Sequence, residues 1–279
     1  MRTIDAHHHV WDLSVRDQDW LTGPEHAPLR RNFGLDDLLP AARAAGVHAT
    51  VVVQTVTVAG ETPELLALAA AGEPVAGVVG WTDLTVPGVG DTLAALRELP
   101  GGDKLVGIRH QVQGEPDVAW LLRPEVRRGL AAVAAAGLAY DLVVLPHQLP
   151  VAAAAAAQLP ELTFVLDHLG KPPIASGTRE PWAADLRALA ARPNTVCKLS
   201  GMVTEAGQDW TTEGLRPYTD TVLEAFGPER LMFGSDWPVC TLDASYAEVV
   251  DTAHRLTAKL SPDERRQVFE TTAARVYGI

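Results

Sequence analysis

Short apolar, β-branched runs recur along the whole chain: Thr3–Asp5, Ala49–Gln54, Val75–Trp81, Leu105–Arg109, Ala139–Leu145, Thr163–His168, Thr195–Ser200 and Leu231–Ser235. Runs such as VVVQ, VAGVVG and LMFG show no polar alternation. Strands apolar on both faces suit a parallel sheet covered by helices, not a half-wet antiparallel one. Helical patterns lie between the runs. Gly34-Leu35-Asp36-Asp37 opens one that ends at Ala45-Gly46, Thr62-Pro63-Glu64 opens another that ends at Gly72, and Pro124-Glu125 opens a third that ends at Gly137. Proline or an acid in the first turn and glycine just past the last are the expected helix punctuation. The tail Ser261–Gly278 reads as a closing helix, with Ser261 as cap and Asp263 and Glu264 on the positive end of the dipole.

Eight strand-then-helix units within 279 residues predict a (β/α)8 TIM barrel forming one domain over 1–279. An open doubly wound sheet is the alternative. It would carry a glycine-rich phosphate loop after its first strand, and three histidines, His7, His8 and His9, stand there instead. One long connection, Val10 to Phe33, carries Trp11, Trp20, His26 and Arg30. A loop of that length in a compact domain reads as a lid or part of a site.

Composition narrows the partners. Hydrophobic residues are 47% and charged residues 21% of the chain, as in a globular protein with a large core. A net charge of −12 repels phosphate backbones, so no nucleic-acid partner is expected. The weakly polar stretch Gly129–Tyr140 falls short of the roughly 18 apolar residues of a membrane span. The N-terminal MRTIDAHHHVW has no apolar segment of the secretory kind. Cys197 and Cys240 are too far apart for a metal finger and form no disulfide framework. The expectation is a cytoplasmic protein acting on a small molecule, with self-association left open.

In such a barrel, chemistry is built at the C-terminal ends of the strands. His7 and His9 close the first strand, and alternation turns both toward the mouth with Cα atoms about 6.5–7 Å apart. They can share one ion or one oxygen atom; His8 should point outward, toward the helices. His168 ends the sixth strand and Asp236 the eighth. First and eighth strands are neighbours in a closed barrel, so Asp236 can reach the histidine pair. Arg109 and His110 end the fourth strand, where a guanidinium suits a carboxylate or polyhydroxy ligand; a surface salt bridge is the plainer reading of Arg109. Gln54, Trp81, Trp11 and Trp237 are candidate substrate walls. Asp141 and His147 flank the fifth strand, and His147 also reads as an ordinary loop residue. Lys198, mid-strand in an apolar run, needs a buried partner, and Asp141 or Asp167 can supply one.

The segments DAHHHVW, GIRH, VLDHLGKP and LMFGSDWP, in this order, resemble the amidohydrolase superfamily. The resemblance is to its branch of TIM-barrel hydrolases that includes sugar-acid lactonases (L-fucono- and L-rhamnono-lactonase) and sulfomuconolactonase. It implies hydrolysis of a small ester or lactone and carries over His7, His9, His168 and Asp236 as catalytic positions. Two-metal members bring a carboxylated lysine or a glutamate from the fourth strand, and here that strand ends in Arg109 and His110. The resemblance therefore implies one divalent ion, zinc by preference, on His7, His9 and Asp236, or a site that works without metal. Asp236 would take a proton from water, and His7, His9 and His168, or one ion they hold, would stabilise the oxyanion. The alternatives are a metal-dependent decarboxylase of the same superfamily and a non-catalytic small-molecule binding protein.

Overall fold

The computed structural model describes residues 2–72 and 74–279. Eight strands, β1 (Thr3–His8), β2 (Val47–Val53), β3 (Val75–Gly80), β4 (Leu105–His110), β5 (Ala139–Leu142), β6 (Phe164–Leu166), β7 (Thr195–Leu199) and β8 (Leu231–Phe233), lie in sequential order. Every adjacent pair from β1–β2 to β7–β8 is parallel. The seam between β1 and β8 closes just past the end of β8. There His9 N donates to Trp237 O (2.7 Å) and Asp236 N to His7 O (2.8 Å).

Helices fill the crossovers: α1 (Leu35–Ala44), α2 (Glu61–Ala70), α3 (Val89–Arg97), α4 (Pro124–Ala135), α5 (Leu149–Gln158), α6 (Trp182–Ala190), α7 (Met202–Ala206) with α8 (Thr212–Phe226), and α9 (Tyr246–Leu256). Gly46 and Gly137 follow α1 and α4 at φ 77° and 67°, the left-handed stop the sequence announced. The closing segment is less regular than expected: α10 (Pro262–Arg266) passes through a π-turn, Gln267–Thr271, into α11 (Thr272–Tyr277). No helix among the described residues is long and apolar enough to cross a membrane.

Two apolar layers form. Ile4, Val51, Val79, Val106, Val165 and Met232 fill the barrel, with Ala273 and Tyr277 of α11 packed against them. A larger cluster packs the strands' outer faces against the helices. Polar groups inside the barrel therefore collect above the apolar plug, toward the C-terminal mouth.

The predicted strands shrink at their C-terminal ends. β6 stops at Leu166 and β8 at Phe233, short of His168 and Asp236. Both residues lie in the turns that follow, in left-handed backbone (φ 53° and 59°). β1 instead runs on to His8, with a register irregularity: Asp5 pairs with Thr50 and His8 with Val52. The extra residue is a bulge, a device that re-aims side chains.

Candidate active site

The bulge in β1 sorts its polar residues. Asp5 is buried and accepts from Ser235 N (2.8 Å), Ser235 Oγ (2.6 Å) and Tyr246 OH (3.0 Å), so it stitches β1 to the β8 turn. His8 is buried with Nε2 3.0 Å from Thr50 Oγ1, away from the other two histidines. His7 and His9 face one another at the mouth with Nε2 atoms 3.2 Å apart.

Asp236 completes the group. Its Oδ1 lies 3.7 Å from His7 Nε2, 3.5 Å from His9 Nε2 and 3.8 Å from His168 Nε2. Three imidazoles thus converge on one carboxylate oxygen, and all four side chains are buried. The space is made by missing side chains elsewhere. A Cβ on Gly234 would stand 2.7 Å from His7 Cβ, and one on Gly201 would stand 2.7 Å from His168 Nδ1.

What lies behind each ring determines what it can offer. His9 Nδ1 donates to Val53 O (2.7 Å), which leaves Nε2 as a lone pair aimed at the mouth. His168 Nδ1 meets Ser200 Oγ (2.9 Å), a hydroxyl able to donate or accept. His7 Nδ1 faces both Lys198 Nζ (3.1 Å) and Asp167 Oδ1 (3.3 Å). Lys198 pairs with both expected carboxylates, Asp141 Oδ2 at 2.5 Å and Asp167 Oδ1 at 3.0 Å. Tyr277 OH, from α11, donates to Asp141 Oδ2 (2.9 Å).

Burial pushes His7 well below its ordinary range and His168 down to about 4, so both rings are neutral near pH 7. Burial alone would raise Asp236. The surrounding rings of His168, His9 and His7 outweigh it and hold Asp236 well below the usual carboxylate range. The site therefore presents an ionised carboxylate beside two neutral imidazoles, those of His7 and His168.

The donor set fits a divalent ion. Donors about 2.0–2.1 Å from a tetrahedral zinc lie about 3.3–3.4 Å from one another. The His7–His9, His9–Asp236 and His7–Asp236 separations are 3.2, 3.5 and 3.7 Å. His168 stands close by, with one donor atom each from His7, His168 and Asp236 within 4.8 Å of the others.

A cavity of about 110 Å³ opens onto the cluster, lined by His9, Trp20, Thr55, Arg109, Gln111, Gln113, Val143, His168, Lys171, Asp236 and Val239. Of the substrate walls expected from sequence, Arg109 lines it. Its ion pair is not at the surface, as the plainer reading had it: Arg109 is buried, its Nε and Nη2 bind Gln54 Oε1 (3.1 and 2.9 Å), and its Nη1 binds Asp167 Oδ2 (3.0 Å). Gln54 is accordingly a buried support for Arg109. Trp81 Nε1 donates to His110 Nδ1 (3.0 Å), His110 Nε2 meets Glu115 Oε1 (2.7 Å), and the His110 ring stacks on Trp120. Trp11 and Trp237 pack edge-on against Phe33 and anchor the long loop. From that loop Trp20, not Trp11, reaches the cavity. His147 is exposed, as its plainer reading had it. Sequence reasoning passed over Ser200, Lys171, Gln111, Gln113 and Thr55. The motif VLDHLGKP flagged the segment that holds Lys171, and nothing in the sequence pointed to the others.

A sequence model of the family described as Amidohydrolase matches residues 4–279. The chain belongs to the amidohydrolase family. Among proteins of this kind, the L-fucono-1,5-lactonase of Burkholderia multivorans (strain ATCC 17616 / 249) is 42% identical over 99% of this chain and 96% of its own. The L-fucono-1,5-lactonase of Burkholderia ambifaria is 39% identical over 99% and 95%. A crystal structure of an amidohydrolase from Burkholderia multivorans with bound zinc superposes with a TM-score of 0.93 at 40% identity, covering 100% of both chains. A hydrolase with a site suited to a divalent ion is thus supported from the family and from the geometry of these side chains alike.

Proposed function

We propose that this amidohydrolase opens a small sugar-acid lactone, with L-fucono-1,5-lactone the first substrate to test. One observation carries the reading: a single ionised carboxylate, Asp236, stands among three imidazoles at the floor of a small cavity. That suits activation of one water against a neutral ester. The relatives at 42% and 39% identity, matched over nearly their whole length, supply the substrate class.

The residues divide the work by what each can hold. Water bound against Asp236 gives its proton to the carboxylate as its oxygen attacks the carbonyl carbon. The tetrahedral oxyanion needs a donor. His9 cannot supply one while neutral, because its proton is committed to Val53 O. His168 can: when Ser200 donates to its Nδ1, the proton sits on Nε2, facing the cavity. Removing one such donor typically costs about 10²–10³ in rate. The bond to the ring oxygen then breaks, and that oxygen takes the proton from Asp236. A hydroxy acid leaves, and the carboxylate is restored. Held by His7, His9 and Asp236, a zinc ion would serve as a Lewis acid, polarising the carbonyl and acidifying water.

The test is acid release from a panel of 1,5- and 1,4-aldonolactones, wild type against Asp236→Asn. The expected result is turnover of at least one sugar lactone, reduced about 10²–10⁴-fold in the variant. Asp236→Asn retaining more than about a tenth of wild-type kcat would remove Asp236 as the base. Release of CO2 from aromatic acids without lactone turnover would replace the reading with the decarboxylase alternative.

A further inference from the structure

After β6 the chain makes one full turn of the wrong hand. His168, Leu169, Gly170 and Lys171 all have positive φ, at 53°, 56°, 71° and 52°. L-residues visit this region as single residues, not in runs, and three of these four carry side chains. The turn is held from several directions. Lys171 N donates to His168 O (2.8 Å), Trp182 Nε1 donates to Leu169 O (2.8 Å), and Ser200 fixes the His168 ring. Backbone strain sustained this way is characteristic of sites where a side chain must be held in a particular place.

The turn delivers two side chains to the cavity wall, His168 and Lys171. His168 belongs to the cluster around Asp236. Lys171 has no part in the mechanism above. Its ammonium forms an ion pair with Glu205 Oε1 at 3.6 Å, which leaves other donors of the ammonium free, and its side chain is 23% exposed. The other cation of the wall, Arg109, already binds Gln54 and Asp167. The cavity also holds the indole of Trp20 and the Gln113 side chain, whose Oε1 is buried without a hydrogen-bond partner. An ammonium donor, an amide acceptor and an aromatic face are the complement of a ring bearing several hydroxyls.

We propose that Lys171 is a substrate-binding residue that donates to hydroxyl oxygens of a polyhydroxylated lactone seated against Asp236, and that the left-handed turn His168–Lys171 exists to place it there. This deepens the lactonase reading and rests on it for the substrate class. It makes hydroxylation of the ring, not the ester alone, the feature the site selects.

The experiment compares wild type with Lys171→Met, which keeps length and removes the charge. Binding of a polyhydroxylated δ-lactam and of plain δ-valerolactam is measured by calorimetry, alongside zinc affinity and turnover of the matching sugar lactone. A hydrogen bond from a charged donor corresponds to about 10- to 100-fold in affinity. The expected result is a loss of that size for the hydroxylated lactam, a change within about twofold for δ-valerolactam, and unchanged zinc affinity. KM for the sugar lactone should rise by the same factor with kcat little altered. Equal losses on both lactams, no loss on either, wild type binding neither, or a parallel fall in zinc affinity would overturn the proposal; the last would show the effect passing through His168. A wild type that binds the hydroxylated lactam yet hydrolyses no lactone would sink the lactonase reading while leaving Lys171 as the hydroxyl contact.

Discussion

Replacing Lys198 by methionine tests the buried charges behind His7. The Lys198 side chain is fully buried, with its ammonium 2.5 Å from Asp141 and 3.0 Å from Asp167. Methionine nearly conserves the volume, so little cavity cost is added. The two carboxylates then fare differently. Asp167 keeps Arg109 Nη1 at 3.0 Å, whereas Asp141 keeps only the Tyr277 hydroxyl. Removing one partner of a buried ion pair costs about 3–5 kcal/mol, because the remaining charge is stranded. At about 2–4 °C per kcal/mol for a domain of this size, Tm should fall by about 6–20 °C. The pH dependence identifies the cause. Burial already pushes Asp141 up to about 6 with Lys198 present, and removing that cation raises it further. A carboxylate whose folded value lies above its unfolded one binds more protons in the native state. Its penalty is absent below the unfolded value, grows as pH rises toward the folded value, and is complete above it. The deficit of Lys198→Met should therefore be small near about pH 5 and much larger near about pH 8. Thermal melts at both pH values, after dialysis against chelator, decide it. A deficit equal at the two pH values, or below about 1 kcal/mol, would show that Asp141 is not the stranded charge.

Zinc should bind at one ion per chain or fewer, as elemental analysis of protein purified without chelator would report; two ions at full occupancy would mean a bridging ligand outside the His7, His9, His168 and Asp236 group. Arg109→Lys should raise KM and also lower Tm by a few degrees, since lysine cannot reproduce the fork that holds Gln54 and Asp167 together. If neither quantity moves, those contacts carry no weight in the folded protein or in binding.

The fold was legible because β-branched runs alternate with helix punctuation along the whole chain, and the barrel topology then dictates where polar residues must gather. That topology, with the resemblance, singled out His7, His9, His168 and Asp236 as neighbours at the mouth. Their exact settings did not follow from it. Alternation places side chains only while the chain remains a strand, and His168 and Asp236 lie past the ends of β6 and β8 in left-handed backbone. The tryptophans misled for a related reason. Trp11, Trp81 and Trp237 stand at strand ends, but an indole there can equally seal a loop onto the barrel, and contacts with Phe33 and His110 show that they do. Arg109 shows the limit for charges: a sequence reveals a cation near the mouth, whereas its partners, Gln54 on β2's end and Asp167 after β6, are 55 and 58 positions away.

The backing of His7 bears on how the site accommodates an ion. Its Nδ1 has two neighbours of opposite kind, the donor Lys198 at 3.1 Å and the acceptor Asp167 at 3.3 Å. When the proton sits on Nδ1, Asp167 accepts it and Nε2 is a lone pair available for coordination. When the proton sits on Nε2, Lys198 donates to Nδ1, and Nε2 can donate to the lone pair of His9 at 3.2 Å. Both tautomers are thus satisfied by the same fixed surroundings, with no side chain moved and no buried group orphaned. The second tautomer also answers why a carboxylate can share a pocket with two histidines so close together: the pair is joined by its own hydrogen bond. Arg109 Nη1 stands 3.4 Å from the same Nε2. A further divalent charge there would face a guanidinium that never gives up its proton, in a buried setting where repulsion is weakly screened. Arg109 therefore offers a second ion a fixed positive charge where it would need a lone pair.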